Sequence, residues 1–273
     1  MKTLKTFALA CAVSALALNG AMAQSAPAAA PAGTYEPKSG QEGKDVVWVP
    51  TPQALVDRMM QMAGVTKDDY LVDLGSGDGR TVITAAKLGV RAHGIEFNGD
   101  LVELSKRNAQ AAGVADRATF QQGDIFESNF SDATVVTLFL LKALNVKLRP
   151  ILLDMKPGTR IVSNTFDMGD WTPDDKIDAG AGCTSWCTAY KWVIPAKVDG
   201  NWRLGEGELK LSQTYQMLSG TMTTNGKSVP ISDAKMNGAQ ISFTAGGQQY
   251  TGTVADGKMS GKTAGGQSWS ATR

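Results

Sequence analysis

The chain has 273 residues, 42% of them apolar, and 27 Lys and Arg stand against 26 Asp and Glu for a formal net charge of +1. So even a balance gives no basic footprint for nucleic acid, and a single histidine with three cysteines argues against a zinc centre. Beyond the N-terminus no segment approaches the ~20 uninterrupted apolar residues that a bilayer-crossing helix needs.

The N-terminus reads as a secretory signal peptide over residues 1–23. Lys2 and Lys5 precede the apolar stretch Phe7 to Leu18, and Ala21-Met22-Ala23 forms an A-x-A cleavage site. Export to the periplasm or medium is therefore expected, with no integral membrane span after cleavage. Removing two positive charges from +1 leaves a mature formal charge of −1. Cys11 goes with the leader, so Cys183 and Cys187 remain in a compartment that permits disulfides. Their C-x-x-x-C spacing allows a short bridge or two free thiols. Residues 24–44 are expected to form a disordered linker, Ala/Pro-rich at Ser25 to Gly33.

A first domain is predicted over 45–197. Thr51 can cap a helix that has Pro52 in its first turn, Leu55, Val56, Met59 and Met60 on its apolar face, and Gly64 at its end. Strand and helix then alternate. Strands are predicted at Tyr70–Leu74, Arg91–Glu96, Ala118–Gln122, Thr134–Phe139 and Thr159–Asn164. Helices fall at Thr81–Leu88, at Asp100–Ala112 with Leu101, Leu104, Asn108 and Ala111 near one face, and at Asn145–Met155, where Pro150 should kink or restart the helix. This rhythm implies right-handed crossovers and a parallel sheet. The apolar run Lys191 to Pro195 suits an antiparallel addition to it.

After Ala196 helical periodicity disappears. Asn225-Gly226, Asn237-Gly238, Gly246-Gly247, Asp256-Gly257 and Gly265-Gly266 recur at roughly ten-residue spacing between short alternating runs. Residues 198–273 are thus expected to be a small antiparallel β-meander or barrel. At about 70 residues it would be marginal alone, so it should pack on the first domain.

The chemistry concentrates at Asp73-Leu74-Gly75-Ser76-Gly77-Asp78-Gly79-Arg80, where a buried strand meets a glycine turn and a helix start. Such a turn lets backbone approach a ligand closely and aims N–H groups at it. The spacing is neither the G-x-G-x-x-G of nicotinamide sites nor the G-K-[ST] of phosphate loops. Two further acids follow in order. Glu96 ends the second strand and can accept both hydroxyls of a ribose. Asp124 follows the third strand and could accept an adenine amino group, with Ile125 or Phe126 against the ring. His93, inside the second strand, reads as structural.

Residues from about Trp48 to Trp171 resemble class I S-adenosylmethionine (SAM) methyltransferases. Within that superfamily they are similar to bacterial relatives of the mitochondrial protein-lysine methyltransferases that modify ATP synthase and the adenine nucleotide translocase. The resemblance rests on Val49-Pro50-Thr51-Pro52, on Asp73 to Arg80, on Gly94-Ile95-Glu96-Phe97-Asn98 and on Asp124. It implies a Rossmann-like α/β fold with a mostly parallel seven-stranded sheet and flanking helices. It also implies SAM as cofactor, bound by Thr51, Asp73, Gly75, Ser76, Gly77, Gly79, Glu96, Asp124 and Ile125, and a lysine side chain of a protein as acceptor. No metal is implied. Leu140-Leu141-Lys142-Ala143 lacks the acidic-Pro-Pro-aromatic signature of DNA or glutamine amino-group methylation. The acceptor side offers only Asn164 and Asp167 as catalytic candidates. The competing reading is an exported, non-catalytic envelope-binding protein that keeps the fold.

Overall fold

The computed structural model describes residues 35–273. The predicted signal peptide and the Ala/Pro-rich stretch Ser25 to Gly33 lie outside the described residues. The last part of the expected linker lies among the described residues. Residues 38–48 already form a hydrogen-bonded loop, in which Gly40 N–H donates to Trp48 O (2.8 Å) and Trp48 N–H to Gln41 O (2.9 Å).

The first part of the chain runs α1 (Gln53–Ala63), β1 (Tyr70–Leu74), α2 (Arg80–Lys87), β2 (Arg91–Glu96), α3 (Gly99–Ala111), β3 (Ala118–Gln122), β4 (Val135–Leu138), α4 (Lys142–Leu153), β5 (Arg160–Asn164), β6 (Asp175–Asp178) and β7 (Thr188–Val193). These strands make one sheet in the order β3-β2-β1-β4-β5-β7-β6. β1 to β5 are parallel, and β7 returns antiparallel to β5 with β6 beside it. Strand order reverses between β1 and β4, which opens a crevice at their carboxyl ends.

Burial explains the strand assignments. All four residues of β4 are buried, which fits a central strand covered on both faces. Leu55, Met59, Val82 and Val102 from α1, α2 and α3 cover one face. Leu148 and Leu152 of α4, with Trp171 and Trp192, cover the other.

Three local expectations are corrected. Thr51 does not cap α1; Pro52 stands at the cap with no side-chain bond, and Thr51 is recruited elsewhere. Pro150 does not interrupt α4. It lies on the exposed side, so the Val146 carbonyl that it leaves unpaired can be hydrated. The buried face of α3 is Leu101, Val102, Ser105 and Ala109, whereas Leu104 is only partly covered and Ala111 is exposed. Apolar spacing misses this face because Ser105, a polar residue, sits at the centre of the buried stripe.

The remaining strands are β8 (Gly200–Leu204), β9 (Gly207–Thr214), β10 (Met217–Thr224), β11 (Lys227–Asn237), β12 (Gln240–Ala245), β13 (Gln248–Ala255), β14 (Lys258–Thr263) and β15 (Ser268–Thr272). Each pairs with its sequence neighbour, and β15 pairs back with β8, so the predicted β-rich region is a closed eight-stranded antiparallel barrel. Asn225-Gly226 (φ 51° and 72°) and Asp256-Gly257 (φ 48° and 70°) supply the two left-handed residues of a tight hairpin turn. Trp202, Leu209, Met222, Met236, Phe243 and Met259 fill the interior. The barrel docks through the β9–β10 turn. Trp171 Nε1–H donates to Gln216 Oε1 and Gln216 Nε2–H to Thr172 O, both at 2.8 Å, while Tyr215 stacks on Trp171 at 5.5 Å.

Candidate functional site

A cleft at the carboxyl ends of β1, β2 and β4 encloses about 1010 Å³ of open space, solvent at its mouth included. Its wall brings together Thr51, Asp73, Gly75, Ser76, Gly77, Glu96, Asp124 and Ile125, from four separate stretches of sequence. Gly79 is not part of it. A Cβ on Gly79 (φ +82°) would fall 2.8 Å from the Phe120 ring and 2.9 Å from Ser105 Cβ. This glycine therefore permits α2 to pack against β3 and α3. Gly77 (φ +56°) does face the cleft, and a Cβ there would fall 2.5 Å from Trp48 Nε1.

The loop does not present a row of free N–H donors, as its glycine pattern suggested. Gly75 and Ser76 N–H both donate to Ile95 O (2.8 and 3.1 Å), and Gly79 N–H donates to Ser76 O (2.9 Å). Gly77 N–H donates to Glu96 Oε2 (2.9 Å). Ser76 Oγ packs against Gly94 of β2 and is buried without a hydrogen-bond partner. The polar face offered to a ligand is thus mainly carboxylate.

Glu96 is oriented by two backbone donors, Gly77 N–H and Asn98 N–H, each at 2.9 Å and each to a different oxygen. Every carboxylate oxygen has a second lone pair to offer. Asp73 is 6% exposed. Burial pushes its carboxyl up to about 7, against the lowering effect of the Thr137 hydroxyl, which donates to Oδ1 at 2.6 Å. Asp124 accepts Phe126 N–H (2.9 Å) and pairs with Lys44, whose hydrogen bond holds the carboxyl below its ordinary range. Lys44 Nζ also lies 4.8 Å from the centre of the Phe97 ring.

Three further residues position the loop, a role with no signal in the sequence. Ser105 Oγ–H donates to Gly77 O and Asn108 Nδ2–H to Asp78 O, both at 2.9 Å, so two polar residues of α3 grip the glycine loop. Arg80 clamps Asp78 through Nε (3.0 Å) and Nη2 (2.6 Å) and donates from Nη1 to Thr51 O (2.9 Å). The Pro-Thr-Pro segment and the glycine loop are therefore one mechanical unit. Only their separate motifs are visible in the sequence.

The acceptor-side candidates lie outside the cleft wall. Asn164 is fully buried and donates from Nδ2 to Thr51 Oγ1 at 3.2 Å. Asp167 is bound to Lys142 (3.0 Å) and accepts Gly169 N–H (2.9 Å). His93 Nδ1 sits 2.8 Å from Thr119 Oγ1 on the paired strand, and burial lowers its basicity. Cys183 and Cys187 are joined in a disulfide.

Comparison with known proteins decides the family. Residues 73–175 match the model of the ANTKMT methyltransferase domain. The chain is 43% identical to a protein-lysine N-methyltransferase of Saccharolobus islandicus over 152 residues, which are 55% of this chain and 94% of that one. It is 30% identical to a lysine N-methyltransferase of Mus musculus named for ATP synthase, covering 66% of this chain and 72% of that one. The chain belongs to the SAM-dependent protein-lysine methyltransferase family. A crystal structure of an RNA methyltransferase from Salinibacter ruber, in complex with S-adenosyl-L-homocysteine, is 51% identical and aligns with a TM-score of 0.52 over 55% of this chain and 96% of that one. In this methyltransferase family member the acids near the ends of β1 and β2, and the acid after β3, line one cleft as a set of hydrogen-bond acceptors.

Proposed function

We propose that this protein is an exported enzyme that transfers a methyl group from SAM to a lysine side chain of another protein. The observation that carries the reading is the set of three carboxylates, Asp73, Glu96 and Asp124, around one glycine loop in one cleft. Burying a carboxylate as deeply as Asp73 is costly without a partner, and an ammonium would be that partner. Glu96 would hold the ribose hydroxyls, and Asp124 with Ile125 the adenine. Lysine as acceptor is supported by the relatives named for it. Export is supported by Lys2, Lys5, the apolar core and Ala21-Met22-Ala23.

When bound, the cofactor supplies an electrophilic methyl on a sulfonium. The chain's task is to hold cofactor and acceptor so that the amine meets the methyl in line. A lysine amine must lose its proton before it attacks the methyl group. The rate should therefore rise with pH.

The RNA methyltransferase likeness favours a second acceptor class. Against it stands a mature formal charge of −1, where RNA binding calls for a basic surface. Residues 24–273 should be titrated calorimetrically with S-adenosylhomocysteine, then incubated with methyl-tritiated SAM and either an envelope protein extract or total RNA. Binding that Glu96→Ala abolishes, and label recovered as methyllysine after acid hydrolysis, are the expected results. Label that enters RNA alone would overturn the lysine reading, and absence of binding by folded protein would overturn the enzyme.

A further inference from the structure

The three cofactor-side acids stand on β1, on β2 and just after β3, to one side of the point where strand order reverses. The other side, at the ends of β4, β5 and β7, carries aromatic rings. Phe139 directly follows β4 and lines the cleft. Phe166 lies two residues past β5, and Trp186 two residues before β7. Their ring centres are mutually close: Phe139–Phe166 at 6.3 Å, Phe139–Trp186 at 5.8 Å and Phe166–Trp186 at 5.8 Å. The cluster therefore runs from the interior of the cleft out to Trp186, which is 41% exposed.

Both outer rings are held from below. Ser163 Oγ–H (2.7 Å) and Asn145 Nδ2–H (3.0 Å) donate to Phe166 O, and both hydrogen-bonding side chains are fully buried. Trp186 sits inside the loop closed by the Cys183–Cys187 disulfide, and that loop is tied down by Ala179 N–H donating to Cys187 O (2.7 Å). Trp186 also adopts φ +57°, a left-handed conformation that a bulky residue rarely takes. An exposed indole held this way serves no core.

We propose that Phe139, Phe166 and Trp186 wall the entry by which the acceptor's lysyl side chain reaches the methyl group, with the disulfide holding Trp186 in that wall. The occupant follows from the chemistry of the wall. Its apolar rings cover the four-carbon stem, and ring faces attract an ammonium head. The wall opens on the cleft beside the cofactor carboxylates, so the stem enters from the β4–β7 side while the cofactor occupies the β1–β3 side. This assignment rests on the lysine reading above.

Poly-L-lysine and methyl-tritiated SAM provide the test, with S-adenosylhomocysteine affinity measured in parallel. Trp186→Ala should raise the KM for poly-L-lysine about tenfold and leave kcat and S-adenosylhomocysteine affinity within about twofold. Trp186→Phe should restore most of the loss. The Cys183→Ser/Cys187→Ser double variant should raise the same KM, as should reduction of the wild type with dithiothreitol. A wild-type protein that binds S-adenosylhomocysteine but leaves poly-L-lysine unlabelled would overturn the lysine reading and the wall with it. A wild type that labels poly-L-lysine, with an unchanged KM in Trp186→Ala, would overturn the wall alone.

Discussion

The sheet and the barrel treat buried polarity in opposite ways. Among the described residues the α/β part buries Thr51, Asp73, Ser76, Thr81, Ser105, Thr137, Asn145, Ser163 and Asn164 at or beside the carboxyl edge of the sheet, and Asp69 and Thr159 at the opposite edge. The barrel buries Gln216 alone, at the turn that docks on Trp171 and Thr172. Polar groups inside a protein cost stability unless each is matched. The sheet accepts most of that cost along its carboxyl edge, where the cleft lies, and the barrel keeps an apolar interior that contributes stability and surface. The family match ends at residue 175 and leaves the barrel outside it.

The contrast is open to attack from both ends. Phe243→Ala, deep in the barrel beside Tyr250 and Trp269, should cost about 3–5 kcal/mol of stability and leave S-adenosylhomocysteine affinity unchanged below the melting transition. Calorimetric titration of the variant checks it, and a large loss of affinity would make the barrel part of the site.

Asp73→Asn should do the reverse. The folded carboxyl titrates near 7, raised above its unfolded value of 3.8 mainly by burial. Its favourable contribution is complete below pH 4 and is lost as pH rises through 7. The substitution should thus stabilise the ligand-free protein above pH 7 by a few kcal/mol, at about 1.4 kcal/mol per pKa unit, and weaken cofactor binding about a hundredfold. In the wild type, affinity should climb with pH through 7, because an ammonium ligand needs the ionised form. Paired melts and titrations at pH 5 and pH 8 measure both effects, and a variant less stable than wild type at pH 8 would break the assignment.

Smaller effects sharpen the picture within the cleft. Ser105→Ala removes the hydroxyl that donates to Gly77 O and should weaken S-adenosylhomocysteine binding about fivefold, the value of one hydrogen bond. Lys44→Ala frees Asp124, and because the lost pair is solvent-exposed the gain in cofactor affinity should be about threefold or less. The Lys44 effect should also shrink in high salt, whereas the Ser105 effect should not.

Much of the fold is legible before any coordinates. Tyr70–Leu74, Arg91–Glu96 and Ala118–Gln122 are strands with the expected bounds, because apolar runs between turn residues leave few other ways to bury them. β6 goes unpredicted, since none of the residues of Asp175–Asp178 is buried and an edge strand carries no periodic signal. The sequence suggests the wrong face for α3 because Ser105 looks like a surface residue until the glycine loop is seen against it. The same blindness hides Lys44 and Trp186, whose partners lie 80 residues away or across a disulfide loop.

By itself the sequence determined the chain order of strands and helices, the glycine turn, the three acids and the hairpin turns of the C-terminal region. All of these follow from local conformational preference and from the side-chain period of buried elements. Only the tertiary structure decided that the C-terminal strands close into a barrel and that Thr51 ties β5 to the glycine loop. It also decided that the loop's N–H groups are spent on Ile95 and Glu96, and that three distant aromatic residues meet at the cleft. Those outcomes depend on which groups satisfy one another across the fold, and a hydrogen bond or ring contact between residues far apart in the chain leaves no mark on either one's immediate neighbours.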